Sequence, residues 1–475
     1  MWRVRVRPSF LLGRRYRRRV TRVLAVDLGT SSVRARLYDE AGQVLSDDSA
    51  QRPWEASRGR DGRVEFDPDE LVEATRAAID DALEPDDSFD AAGISCFWHS
   101  LMALDARGRP LTPLLAWGDT RSVEQAELLA GRLDAAAVHV RTGAPLHPSF
   151  WPAKLLWLKT TEPDLFAAAA RFVGLGEYLL QELAGECRAS LSMASATGLL
   201  DVHSCTWDEE LLEAVGVERG RLPPVGDEPA GTGVPWYPAY GDGATSNLGS
   251  GCVTPDRAAL MMGTSGAYRV LSAGDPDKRP RPGLFLYRAD RERFVEGGSL
   301  SDGGNLPSWL ERTLRLEDGT SVEGREPGEH GLTLLPLLGG ERSTGWNARA
   351  RGAIAGLSFT TTAEDILHAA LEGIALRVSE VAERLPEVRE VVATGQALLS
   401  RPDWMAMMAD ALGLPVTASG EPEASSLGVV NLVLERLGEA PAPPPLGRRF
   451  EPRAERTEAY RWAKDRQRQL YRGVT

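Results

Sequence analysis

Apolar and polar positions divide the chain into short strand-like runs and longer helical stretches. Val23-Leu-Ala-Val26 is an uninterrupted apolar run, the mark of a buried strand. Asp27-Leu-Gly-Thr-Ser-Ser32 follows. Val33, Ala35 and Leu37 then alternate with Arg34 and Arg36, which is the two-residue period of a strand. Asp39-Glu-Ala-Gly42 turns the chain, and Gln43-Val-Leu45 is expected to begin a further strand. The glycine-containing turn thus joins strand to strand, whereas P-loop and dinucleotide-binding folds need a helix after their glycines. The device returns at Ala258-Ala-Leu-Met-Met262, Gly263-Thr-Ser-Gly266 and the apolar Tyr268, Val270 and Leu271. Two such hairpins half a chain apart suggest an internal duplication of an α/β domain, although Gly-Thr-Ser turns also recur by chance.

Helices alternate with these strands. Thr361-Thr-Ala-Glu364 reads as a capping box before Ile366, Leu367, Ala370, Leu371, Ile374, Val378 and Val381 at helical spacing. Glu390-Val-Val-Ala393 reads as a strand with Thr394-Gly-Gln396 as its exit, and Arg401 to Leu412 as a helix ended by Gly413 and Pro415. The Pro- and Gly-rich stretch from Leu222 to Gly243 is the natural boundary between halves.

At 475 residues the chain is too long for one hydrophobic core. No apolar run approaches the ~18 residues of a membrane span, so no membrane partner is expected. Cys96, Cys187, Cys205 and Cys252 are scattered without a CxxC pair, which fits a reducing, cytoplasmic setting better than a zinc site or a disulfide framework. The net charge is −13, yet the first 22 residues carry nine Arg and no acid. The remainder is strongly acidic, which argues against nucleic-acid binding by the folded body. Residues 1–21 are expected to be a disordered basic extension without a role in the fold.

Phosphate binding needs backbone N–H groups converging on an anion with little bulk in the way. Gly29-Thr-Ser31 and Gly263-Thr-Ser265 meet that need, with hydroxyls adding donors at Thr30, Ser31 and Thr264. Asp27, at the end of its strand, is a candidate Mg²⁺ carboxylate. Asp242 stands between glycines in Tyr240-Gly-Asp-Gly243, exposed at a tight turn. A carboxylate there can take the proton from an attacking hydroxyl. Each of these segments alone is also an ordinary turn; their combination points to phosphoryl transfer.

Residues 23 to about 462 resemble the FGGY carbohydrate kinases of the sugar kinase/Hsp70/actin superfamily. Five segments carry the resemblance in order: Asp27 to Arg34; Gly93-Ile-Ser-Cys-Phe-Trp-His-Ser100 with Trp117-Gly-Asp-Thr-Arg121; Tyr240 to Ala244; Gly263 to Gly266; and Ala393 to Ser400 with Trp404 and Asp410. The resemblance implies an α/β fold of two actin-like (ribonuclease H-like) domains, 22–235 and 236–475, with a cleft between them. It implies ATP and Mg²⁺ as cofactors and a sugar or sugar acid as acceptor, and it admits a homodimer. By carry-over Asp242 is the general base and also touches the metal. Asp27 belongs to Mg-ATP, and Thr30, Ser31, Gly263 and Thr264 touch phosphates. Gly395 and Gln396 hold adenosine, and Trp98, His99, Asp119 and Arg121 contact the acceptor. Core packing for Trp98 and a structural role for His99 stay open as the lesser alternatives. Gln396 departs from the family, which usually has glycine there, and a side chain at that point can crowd the nucleotide or touch its sugar. Glu423-Ala-Ser-Ser-Leu-Gly428 reads as a tightly packed helix start.

Phe97 to Ser100, Ser343 to Asn347 and Ala350 to Gly352 look most like the gluconate-kinase branch. Gluconate's carboxylate calls for a cation, for which Arg121, Lys154 and Arg349 are candidates. Xylulose or another pentulose or polyol is the alternative acceptor. Two readings of other classes are an inactive sugar-binding homologue, which the intact Asp27, Asp242 and hairpins disfavour, and an actin- or Hsp70-like ATPase with a protein client.

Overall fold

A computed structural model describes residues 21–45, 50–276, 280–317 and 320–475. The expected basic extension, apart from its last residue, lies outside the described residues. The first sheet contains β1 (Val23–Leu28), β2 (Ser32–Tyr38), β3 (Ala50–Pro53), β4 (Ala91–Cys96) and β5 (Tyr240–Gly241), in the spatial order β5-β4-β1-β2-β3. β1 pairs antiparallel with β2 and parallel with β4, and β5 is parallel to β4. β1 and β4 are buried along their whole length, as expected of central parallel strands. Gln43-Val-Leu45 makes an isolated bridge, Tyr38 to Val44, and among the described residues the third strand of the sheet is β3.

The second sheet contains β6 (Arg257–Met262), β7 (Gly266–Ala273), β8 (Phe285–Arg288), β9 (Arg293–Leu300), β10 (Glu390–Thr394), β11 (Val416–Ser419) and β12 (Leu446–Phe450). Its order is β8-β9-β7-β6-β10-β11-β12. β6 pairs antiparallel with β7 and parallel with β10, and β10 is parallel to β11. The run β9-β7-β6-β10-β11 therefore repeats the first sheet's order of third, second, first, fourth and fifth strand. The duplication suggested by the two Gly-Thr-Ser hairpins is visible as one topology used twice.

By internal contacts the chain forms two units. The first runs to Gly249 and includes Tyr287–Phe294 and Glu423–Pro443; the second comprises Ser250–Leu286, Val295–Pro422 and Pro444–Thr475. This differs from the expected division at 235/236. The two-residue strand β5 completes the first sheet, so the Asp242–Gly249 helix that follows it belongs to the first unit. The Ala424–Arg436 helix also belongs there and packs on the sheet, with Val429 and Val433 so close to Gly93 that a β-carbon would lie 2.8 Å from each.

In the second unit the Ala363–Ala382 helix has Thr362 as its N-cap, one residue later than expected. Thr362 Oγ1 accepts from Asp365 N (3.2 Å) and Asp365 Oδ2 from Thr362 N (2.9 Å), so Asp365 takes the part foreseen for Glu364. The Pro402–Leu412 helix begins with proline and ends at Gly413 in a left-handed conformation, as its sequence suggests. Among the described residues no helix is long and apolar enough to cross a membrane. All four cysteines are free thiols.

Candidate active site

In the first unit the turn after β1 is closed by Gly29 N donating to Ser32 O (2.9 Å). Thr30 is half-buried and Ser31 exposed on it. Asp27 is buried and lies in register with Ser95 on β4 and Arg34 on β2. Burial pushes its carboxyl up to about 7; the Ser95 hydroxyl opposes the shift, Glu423 and Asp242 add to it, and Arg34 opposes it. Ser95 Oγ in turn hydrogen-bonds Thr245 Oγ1 (3.0 Å), which donates to Asp242 O (3.1 Å). This chain of hydroxyls ties the end of β1 to the first turn of the helix that Asp242 opens.

Trp98 stands against Gly241, the residue before Asp242. A β-carbon on Gly241 would lie 1.6 Å from Trp98 Nε1, so only glycine admits the indole against this backbone. The loop that presents Trp98 and His99 is pinned from behind. His99 has a left-handed backbone (φ 69°) and its Nδ1 lies 2.6 Å from Ala196 O. Lys154, fully buried, donates from Nζ to His99 O (2.7 Å) and Ala116 O (2.8 Å), and Trp151 Nε1 donates to Ser100 O (2.8 Å). Tyr287, from the second half of the chain, stands edge-on to Trp98 (5.2 Å between ring centres) and to His99 (5.7 Å).

Asp119 and Arg121 are also brought together, but with each other. Both Asp119 oxygens accept from Arg121, and one accepts from Val64 N (3.0 Å). Arg121 reaches Glu65 at 2.5 Å and lies over the Trp157 ring at 4.4 Å. Two carboxylates thus neutralise the guanidinium that was a candidate for reading a substrate carboxylate.

In the second unit Gly263 N donates to Ser265 O (3.0 Å), closing the second hairpin with Thr264 exposed at its tip. The Asn305–Leu314 helix begins directly on it: Gly304 N donates to Gly263 O (2.8 Å) and Asn305 N to Thr264 O (3.1 Å). A β-carbon on Gly304 would lie 2.7 Å from Gly263 O and 2.4 Å from Ala397 Cβ. Gly395 has φ +88°, and a β-carbon there would lie 2.4 Å from Met262 O. The second hairpin, Gly303–Asn305 and Gly395–Gln396 therefore share one backbone-lined surface, on which the Gln396 side chain is exposed. Gly303 to Asn305 were not anticipated. Their signal was the Gly-Gly-Asn ahead of a helical pattern, which could have been read as a close approach of helix to loop. Glu423 was read only as part of a helix start, yet its Oε1 lies 3.4 Å from Arg34 Nε.

Another polar cluster in the second unit joins His330, His368 and Glu372. Glu372 accepts from His330 Nε2 (2.8 Å) and Gly328 N (2.9 Å), and its other contact is His368 Nε2 (3.2 Å). Burial opposes ionisation of Glu372, but the bonds from the two histidines outweigh it and hold its pKa down at about 2. Leu332 N donates to His330 Nδ1 (2.9 Å), which fixes the ring proton on Nε2, facing Glu372. A metal on Nε2 would force that proton to Nδ1, against the Leu332 N–H. The cluster is a hydrogen-bonded clamp on a carboxylate.

The comparisons with known proteins agree with this geometry. Residues 22–234 match the N-terminal domain, and residues 258–434 the C-terminal domain, of the FGGY family of carbohydrate kinases. The chain is 29% identical to the gluconokinase of Bacillus subtilis (strain 168) over 88% of each chain. Among solved structures it is similar to a gluconate kinase from Lactobacillus acidophilus, with 25% identity, a TM-score of 0.86, and coverage of 96% of this chain and 98% of that one. A ligand-bound xylulose kinase from the same organism gives the same four values. Two glycine hairpins on one repeated topology, Asp27 and Asp242 at the ends of two strands that flank β4 in the first sheet, and domain matches over most of the chain lead to one assignment: the chain belongs to the FGGY family of carbohydrate kinases, with their two-domain α/β fold.

Proposed function

We propose that this carbohydrate kinase transfers the γ-phosphoryl group of ATP to a hydroxyl of gluconate. The observation that carries the chemistry is the contact of Trp98 with Gly241. An acceptor packed on that indole has the Asp242 carboxylate beside it, because Asp242 is the next residue. In this reading the acceptor oxygen attacks the γ-phosphorus and gives its proton to Asp242 as the bond to the bridging oxygen breaks, releasing ADP. Thr30 and Ser31 in the first unit, and Gly263 and Thr264 in the second, cradle phosphates; Gly395 and Gln396 hold the adenosine. Asp27 and Asp242 would hold Mg²⁺, directly or through its waters, and a buried carboxylate with two further acids nearby suits a divalent cation. When bound, Mg²⁺ neutralises charge on the phosphates.

The choice of gluconate rests on the likeness to the Bacillus subtilis gluconokinase over most of both chains. With Arg121 already paired to Asp119 and Glu65, the reading assigns the field that favours an acid to Lys154, whose charge lies directly behind His99. Four free thiols suit a cytoplasmic enzyme. ADP release measured with gluconate, glucitol, xylulose and glycerol tests the proposal. Gluconate is expected to exceed glucitol, which lacks the carboxylate, by ~10-fold or more in kcat/KM. A preference for xylulose would reject gluconate, and no ADP release with any sugar or sugar acid would reject the kinase.

A further inference from the structure

Asp27 and Arg34 face each other across the first hairpin. They are direct partners in the antiparallel register of β1 and β2, so their side chains stand on the same face of the sheet. A buried aspartate opposite a guanidinium would ordinarily pair with it. Here the guanidinium goes elsewhere: Arg34 Nε lies 3.4 Å from Glu423 Oε1, with Arg34 28% and Glu423 19% exposed.

Glu423 is not free to follow Arg34 toward the sheet. It immediately precedes the Ala424–Arg436 helix, and Leu427 N donates to its carbonyl (3.0 Å). That helix is locked backbone to backbone against the Asp242–Gly249 helix. A β-carbon on Gly428 would lie 1.8 Å from Thr245 O, and one on Gly249 would lie 1.8 Å from Ala424 O. The same helix pair thus carries Asp242 at one start and Glu423 at the other, and neither can shift without separating the two backbones.

We propose that Glu423 is a positioning residue of the nucleotide–metal site, which acts by holding Arg34 away from Asp27 so that the Asp27 carboxylate stays available to a divalent cation. Without Glu423, Arg34 has Asp27 directly across from it and pairs there. A cation would then have to break a buried ion pair before it could bind. The proposal rests on the kinase reading given above.

A double-mutant cycle tests it. Mn²⁺ binding in the presence of ADP is read from the free-ion signal in electron paramagnetic resonance, for the wild-type protein, Glu423→Gln, Arg34→Gln and the pair. Glu423→Gln is expected to weaken Mn²⁺ binding about tenfold, the lower end of what loss of an outer-shell partner costs. On the Arg34→Gln background the same substitution should change it by less than about twofold, because the competitor is gone. An equal loss on both backgrounds would mean that Glu423 meets the metal or its waters directly, and would overturn the proposal. So would the absence of any loss on the wild-type background. Should Glu423→Gln fail to fold, Glu423→Ala takes its place in the same cycle with the same outcomes. If the wild-type protein with ADP bound no Mn²⁺ at all, the kinase reading itself would fall, an outcome distinct from an equal loss on both backgrounds.

Discussion

Replacing Gly241 by Ala adds one methyl group at the most crowded point of the candidate site. Its β-carbon would lie 1.6 Å from Trp98 Nε1 and 1.9 Å from Trp98 Cε2. Non-bonded atoms of this size rest at about 3.5 Å, so the ring or the backbone must move by roughly 1.5–2 Å. The ring has little room. It is 6% exposed and hemmed in by Tyr287 at 5.2 Å, so part of the displacement falls on the chain at 240–242. Overpacking of this kind costs about 1–3 kcal/mol of stability. A shift of about 1 Å in a reacting group costs on the order of 10²-fold in turnover. The variant should therefore melt several degrees lower and release ADP about a hundredfold more slowly, while binding nucleotide with little change. Trp98→Ala on the same chain makes room for the methyl group. The two substitutions together should be less destabilising than the sum of their separate effects by about 1 kcal/mol or more, measured by urea unfolding. A Gly241→Ala protein with the wild-type Tm and turnover would refute the placement of the indole and the acceptor site argued from it.

Three further outcomes are expected. Asp242→Asn should cut turnover by at least ~10²-fold with ADP binding retained in calorimetry; near wild-type turnover would remove Asp242 from its role as base. Gly395→Ala forces a side chain onto a backbone at φ +88° and 2.4 Å from Met262 O, so KM for ATP should rise by ~10-fold or more with a smaller effect on kcat. Glu177 is buried and pushed up to about 7 by that burial, against the bonds from the Gly174 and Glu177 amides. Its folded-state pKa lies above the unfolded value. Its contribution is therefore fully present below about pH 4.5 and is lost as pH rises through 7. Glu177→Gln lacks this loss, so its Tm should match wild type near pH 4 and exceed it at pH 8; parallel Tm curves would contradict the assignment.

Alternation around Gly29 and Gly263 was enough to read both hairpins, because side-chain period is a local property of the chain. The helix from Pro402 to Leu412 was legible for the same reason, through its proline start and glycine stop. The place of Tyr240–Gly241 in the first sheet was not. Tyr240–Gly241 is too short to show a period, and it belongs to the first sheet only through its pairing with Ser95 and Cys96, about 145 positions earlier in the chain. Arg121 read as a spare cation because Glu65 lies 56 positions away, and no local pattern announces that pair. Glu423 read as a helix start, which it is; its partner Arg34 sits at the far end of the sequence. Thr362 displaced Thr361 as the cap because either threonine has an acid three positions on, and only the fold chooses between them.

The make-up of the first unit bears on how the chain can be assembled during synthesis. Its sheet is complete once Gly241 has been made, but the helix that covers β1 and β4 beside Gly93 is Ala424–Arg436. About 180 residues, most of them belonging to the second unit, must leave the ribosome before that helix does. Until then the apolar face that Val429 and Val433 will cover has no cover of its own chain. The second unit, by contrast, needs nothing that precedes Ser250 in its own membership. The usual order, in which the amino-terminal unit folds before the rest is made, is thereby lost: the first unit cannot close until nearly all of the chain has been made, and a fragment ending at Gly249 would be expected to aggregate rather than fold.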